Sequence, residues 1–164
     1  IPIHGGSLRL TFAKTEAPSP AVAEILAEET ALGLDTAAYY VDFARNVQGF
    51  RRKMRHLVGE LKSSGARVAA YGAAAKGTIM VNYLGFDASV LEFAVDRNRV
   101  KQGRYMPGMR IPIVGPERLE TDAPDVLVIL PWNFRDEIVR QQQDYLKRGG
   151  RILVPIPDME LVSG

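Results

Sequence analysis

The sequence predicts an α/β domain, a mostly parallel sheet with helices on both faces, preceded by a short β segment and two N-terminal helices. Three observations carry that expectation. From Gly65 onward, short apolar runs of strand length alternate with segments of helical spacing, the pattern of strands joined by crossover helices. Two of those runs, Arg67 to Tyr71 and Val126 to Leu130, are nearly continuous in apolar residues, as strands covered on both faces must be. Finally, a chain of 164 residues that is 46% hydrophobic can bury roughly 70% of its unfolded surface, enough for one core without disulfide or metal staples.

Ile3, Leu8, Leu10 and Phe12, with polar residues between them and Gly5-Gly6 as a turn or bulge, predict one or two extended segments. Lys14 to Pro20 reads as a linker. Ser19-Pro20 supplies a cap and a first-turn proline for a helix to about Leu32, stopped by Gly33. Asp35 or Thr36 then caps a long second helix to about Ser64. Its residues Tyr40, Phe43, Ala44, Val47, Phe50, Met54, Leu57, Val58 and Leu61 recur at three-four spacing, most simply a packing face. After the strand Arg67 to Tyr71 comes the turn Gly72 to Thr78, then helical spacing in Ile79, Tyr83 and Leu84 ended by Gly85. A second strand, Leu91 to Val95, ends on Asp96 and opens a Gly- and Arg-rich loop from Arg97 to Arg110. Arg110 to Val114 is extended, and Pro116 to Leu119 is a brief helical turn. Pro131-Trp132-Asn133 is the exit loop of the strand Val126 to Leu130. A helix from about Arg135 to Lys147 stops at Gly149-Gly150, and Ile152 to Val154 provides the last strand.

Composition removes several classes of function. With no cysteine there is no disulfide framework, thiolate zinc site or cysteine nucleophile in this chain. His4 and His56 lack ligand-like spacing, so a histidine metal cluster is not expected. No apolar run approaches the ~20 residues that span a bilayer, and the start does not resemble a signal segment, so a cytoplasmic protein without membrane association is expected. The net charge of +2 is small and the helix Ala21 to Leu32 is acidic, which disfavours nucleic acid despite a pI near 9.0. The chain opens on Ile1, and IPIHGG reads like the middle of a strand, so a piece of a longer protein is expected.

In a sheet of this kind, ligands gather outside the carboxyl ends of the strands, where crossovers diverge to opposite faces. Three loops stand there: Tyr71 to Thr78, Asp96 to Arg110 and Pro131 to Phe134. In the first, small residues let a ligand approach the backbone, helix N–H groups favour an anion, and Lys76 adds a mobile positive charge. Gly72, Ala74 and Gly77 keep the spacing of a Rossmann dinucleotide fingerprint with alanine at its middle glycine. Asp96 ends the next strand, where a ribose acceptor would stand. The competing reading is that small residues simply permit tight strand-to-helix packing. Arg97, Arg99, Lys101, Arg104 and Arg110, with no acid among them, suit phosphate or carboxylate recognition; the alternative is a solvated loop that offsets Asp96. Trp132 and Asn133 should project at the same rim, the indole to stack on a ring and the amide to orient a sugar hydroxyl. Equally, Asn133 serves as a helix cap and Asn82 as a solvent-facing amide. His4, Ser7 and Arg9 form a polar set around Gly5-Gly6, but no paired carboxylate or second histidine marks His4 as a general base. No Gly-x-Ser-x-Gly elbow exists to anchor a hydrolase triad.

Several separated motifs also resemble one family in their order. They are HGGSLR at 4–9, YGAAAKGT at 71–78 with Asn82, VDRNRVKQGRYMPGMRIPIV at 95–114, LPWNF at 130–134 and GGRILVPIP at 149–157. Together they resemble the C-terminal domain of S-adenosylmethionine-dependent sugar C-methyltransferases, from Ile1 to about Pro157. Members of that family add a methyl group to a carbon of a nucleotide-linked keto sugar in the biosynthesis of branched deoxysugars. The resemblance implies an N-terminal zinc-binding segment and a central domain holding S-adenosylmethionine, neither of them in this chain. It further implies a Rossmann-like C-terminal domain that helps bind the nucleotide-diphosphate sugar. On that basis residues 1–14 are the terminal strands of the absent methyltransferase domain, 15–64 a linker and two helices packing on the core, and 65–164 the substrate-binding domain. The fragment alone is then inactive, with no catalytic residue, metal ligand or cofactor of its own; the base that deprotonates the carbon beside the keto group belongs to the central domain.

The same resemblance assigns Lys76 and the backbone from Ala73 to Thr78 to anion contacts, and Asn82, Trp132 and Asn133 to sugar or nucleotide contacts. His4 and Arg9 fall at the junction with the absent domain. Tyr71, Lys101 and Arg104 complete the expected substrate-binding set. Asp96 either binds the substrate's ribose or pairs with an arginine. Two other functions stay open: an independent NAD(P) or coenzyme A binding domain, and a scaffold or oligomerisation module built on the helix Thr36 to Ser64.

Overall fold

The computed structural model describes residues 1, 6–15 and 18–164, which form two units, Ile1–Phe50 and Arg51–Gly164. In the first, α1 (Pro20–Ala31) starts behind Ser19, whose extended backbone and following proline set the first turn, although the serine side chain makes no capping bond. It ends at Gly33, whose φ of +73° is the left-handed conformation glycine adopts without strain. Thr36 caps α2 (Ala37–Ser63), accepting from the Tyr39 N–H at 3.5 Å while its hydroxyl donates to the Gly33 carbonyl at 2.7 Å.

Two sequence expectations fail in this part of the chain. No strand forms among the described residues of 1–14, although Ile1 and Ser7 exchange both backbone hydrogen bonds at 3.0 Å; Leu8, Leu10 and Phe12 are exposed. Ile3 and His4 lie outside the described residues. The apolar stripe of α2 is buried only at Met54, Val58 and Leu61, in the second unit, whereas Tyr40 and Phe43 are more than half exposed.

The second unit is built on one sheet. Its strands are β1 (Val68–Tyr71), β2 (Ala94–Val95), β3 (Ile113–Val114), β4 (Val126–Ile129), β5 (Arg151–Val154) and β6 (Glu160–Val162), in the order β3-β2-β1-β4-β5-β6. The first five are parallel and β6 runs antiparallel to β5. This is the Rossmann-like order, with the topological switch point between β1 and β4. Helices cover both faces. On one, Ala69, Tyr71, Leu127, Ile129, Ile152 and Val154 pack with Leu119 of α4 (Arg118–Thr121), Ile138 of α5 (Arg135–Gln141) and Tyr145 and Leu146 of α6 (Gln143–Lys147). The alternate residues of the central strands face the other side, where α3 (Ala75–Leu84) packs so closely that a Cβ on Gly77 would collide with Leu130.

Differences from the sequence reading are local. The expected strand Leu91 to Val95 is a two-residue β2, although Glu92 and Phe93 already bond Val68 and Ala70 of β1. The single helix expected over 135–147 is a 3₁₀ turn (Trp132–Phe134) followed by α5 and α6, broken at Gln142. That break accompanies burial of Tyr145, whose hydroxyl donates to the Pro124 carbonyl at 2.9 Å. β6 lies beyond the last strand the sequence suggested. At the amino ends of the strands, Arg67 bridges Glu92 and Asp122, each at 2.7 Å, and Arg118 pairs with the same aspartate at 2.8 Å.

Candidate functional site at the carboxyl ends of the strands

Two glycines shape the turn after β1. Gly72 has φ +85°, and an added Cβ would lie 2.6 Å from the Pro131 ring, so the β1 turn and the exit of β4 touch at the switch point. Gly77 permits the close approach of α3 to Leu130. Those are the tight-turn and helix-packing roles of the first and third fingerprint glycines. At the middle position Ala74 forms the N-cap, with extended backbone and no side-chain bond. The first intrahelical bond runs from Thr78 N to Ala74 O, supplemented by the Thr78 hydroxyl at 3.2 Å, so the N–H groups of Ala75, Lys76 and Gly77 lie ahead of it. The structure brings Lys76 to Trp132 as expected: its ammonium stands 5.9 Å from the indole centroid and pairs with no carboxylate among the described residues. Asn133 sits beside Trp132 in the 3₁₀ turn, half-buried. It does not cap α5, whose N-cap is Phe134.

Asp96 is committed within the fold. Its Oδ2 accepts from the Ala73 N–H and from Lys101 Nζ, each at 2.9 Å, and its Oδ1 accepts from the Asn98 N–H at 2.8 Å. Burial pushes its pKa up, but the Asn98 N–H, Lys101 and the Ala73 N–H outweigh burial and hold it below the usual carboxylate range. The partner is therefore a lysine, where the sequence offered an arginine or a ribose. Lys101 also donates to the Ala73 carbonyl at 2.9 Å. Asn82 spends its Nδ2 hydrogens on the Thr78 and Pro107 carbonyls, at 2.8 and 2.9 Å. Arg99, Arg104 and Arg110 are exposed and pair with no carboxylate among the described residues. Tyr71 is buried at the mouth of the turn. Arg9 is exposed in the first unit, and His4 is outside the described residues.

A cleft of about 290 Å³ opens at the switch point between Tyr71, Gly72, Ala74, Asp96 and Arg97 on one side and Pro131, Phe134, Glu137, Ile138 and Gln141 on the other. An apolar floor with a few polar groups at the rim is the usual form of a small-molecule site. Arg97 donates to Gln141 Oε1 at 3.1 Å, and Gln141 Nε2 donates to Glu137 Oε1 at 2.8 Å, a polar chain along that rim. The sequence reading did not single out Phe134, Glu137 or Gln141. Only the three- and four-residue spacing of Phe134, Glu137, Ile138 and Gln141, one face of a helix, signals them.

Residues 2–157 match the family described as the C-methyltransferase C-terminal domain. The C-methyltransferase NovU of Streptomyces niveus is 37% identical over 164 residues, an alignment that takes in 98% of this chain and 39% of that protein. The chain thus spans well under half the length of this relative. With the family match running over nearly its whole length, the chain belongs to the C-methyltransferase C-terminal domain family.

Proposed function

We propose that this chain is the nucleotide-sugar-binding domain of an S-adenosylmethionine-dependent sugar C-methyltransferase and is inactive alone. The observation that carries the reading is Lys76, a cation without a carboxylate partner among the described residues, held over Trp132 in the first turn of a helix at the switch point. A diphosphate would meet the ammonium and the N–H groups of Ala75 to Gly77, and the sugar or base would meet Trp132 and Asn133. The residues at the switch point do not fit the methyl donor: its ribose needs a carboxylate free to accept, and Asp96 is taken by Ala73, Asn98 and Lys101. S-Adenosylmethionine, the base and any zinc would accordingly belong to the rest of a longer chain. We assign residues 1–50, with exposed Tyr40 and Phe43, to the junction with that methyltransferase domain. This domain then contributes orientation, holding the keto sugar by its diphosphate while the carbon beside the carbonyl attacks the methyl group.

The same commitment of Asp96, with Ala74 at the middle glycine, weighs against a dinucleotide or coenzyme A. Titration calorimetry with thymidine-diphosphate glucose, NADH, coenzyme A and S-adenosylmethionine tests the reading. The nucleotide sugar alone should bind, and Lys76→Ala should weaken it roughly tenfold, the loss of one charge-assisted contact. Binding of NADH or of the methyl donor in its place would sink the reading.

A further inference from the structure

The loop Arg97 to Arg110 carries five cations within fourteen positions and no acid. Such a loop repels itself, yet it is fastened at both ends to the elements that form the proposed anion site. At its start, Asp96 and Lys101 together take both polar groups of the Ala73 backbone: the aspartate accepts from the N–H, the lysine donates to the carbonyl, and lysine and aspartate pair with each other. At its far end, Asn82 on α3 donates to the Pro107 carbonyl, and Gly108, at φ +82°, presses so close to the Asn82 amide that any Cβ there would collide with it. Asn82 is also tied to Thr78 one turn back, so the fastening runs to the first turn of α3.

We infer that Asn82 and Lys101 are positioning residues that couple the basic loop to the first turn of α3, so that loop cations and Lys76 act on one anion. This rests on the anion-binding reading above. Neither residue needs to touch the ligand; each sets where the loop's cations stand.

Trypsin, which cuts after lysine and arginine, reports the fastening directly, and inorganic pyrophosphate reports its consequence. In the purified chain, Asn82→Asp places an acceptor against two carbonyls, and Gly108→Ala disturbs the same contact without altering Asn82. Both should speed cleavage within 97–110 about fivefold, the factor expected for one exposed side-chain to backbone hydrogen bond, while the thermal midpoint falls by only a few degrees and cleavage elsewhere changes far less. Both should also weaken pyrophosphate binding and flatten its dependence on ionic strength, because fewer cations then face the anion. Lys101→Met should behave like them, and Lys101→Arg should retain both properties. Unchanged cleavage would overturn the fastening. Faster cleavage with unaltered pyrophosphate affinity and salt dependence would overturn the positioning role. If the unsubstituted chain itself does not bind pyrophosphate, the anion reading fails and this inference with it, a failure seen in the parent chain rather than in the variants.

Discussion

Asp96 and Gly77 show how single positions carry the site's framework. The Asp96 carboxyl is held below the usual carboxylate range in the fold, whereas in the unfolded chain it titrates near about 3.9. A depressed folded pKa gives stability that is fully present above the unfolded value and lost as pH falls through the folded one. Urea midpoints should therefore fall below about pH 4, and Asp96→Asn should lower stability near neutrality while shrinking that acid-dependent loss. A variant whose acid sensitivity equals the parent's would show that Asp96 is not the titrating clasp. At Gly77, alanine gains up to about 1 kcal/mol of helix propensity. It also drives a methyl group into Leu130, and overpacking costs about 1–3 kcal/mol, so Gly77→Ala should destabilise in urea titration. Adding Leu130→Ala should not restore stability, because the added methyl meets the Leu130 Cβ, which alanine retains.

At the scale of elements, α2 is one helix of 27 residues with two environments. Residues Met54, Val58 and Leu61 are buried, while Tyr40, Val41 and Phe43 are exposed, so the amides of 40–48 should exchange with solvent faster than those of 54–63. Equal protection along the helix would count against this division. The contrast also shows what periodicity reveals. Three-four spacing identified the helix, but the stripe packs only at Met54, Val58 and Leu61, because spacing says nothing of whether a surface lies opposite. β1, β4 and α3 were legible because apolar runs end on Gly72, Pro131 and Gly85, each a strong punctuation signal. β6 was not, since Glu160–Val162 is three residues long and largely exposed. No glycine or proline marks the break at Gln142, which accompanies the burial of Tyr145.

Over the whole sheet-bearing unit, the order β3-β2-β1-β4-β5-β6 decides where chemistry can gather. The rim was legible in outline: loop positions alone placed Lys76 with Trp132, and the structure brings them together. What the sequence could not show is the allocation of hydrogen bonds there. Asp96, Lys101 and Asn82 look like free polar groups in a list of residues, yet each is engaged by backbone atoms distant in sequence. The two sides of the switch point also meet through Gly72 against Pro131 and Gly77 against Leu130. Two adjacent residues leaving β4 thus constrain two glycines leaving β1, and evolutionary drift at these four positions must be correlated. A lineage that places a side chain at 72 or 77 has to re-aim 131 or 130 in the same step, so homologous sequences should show the four positions changing together.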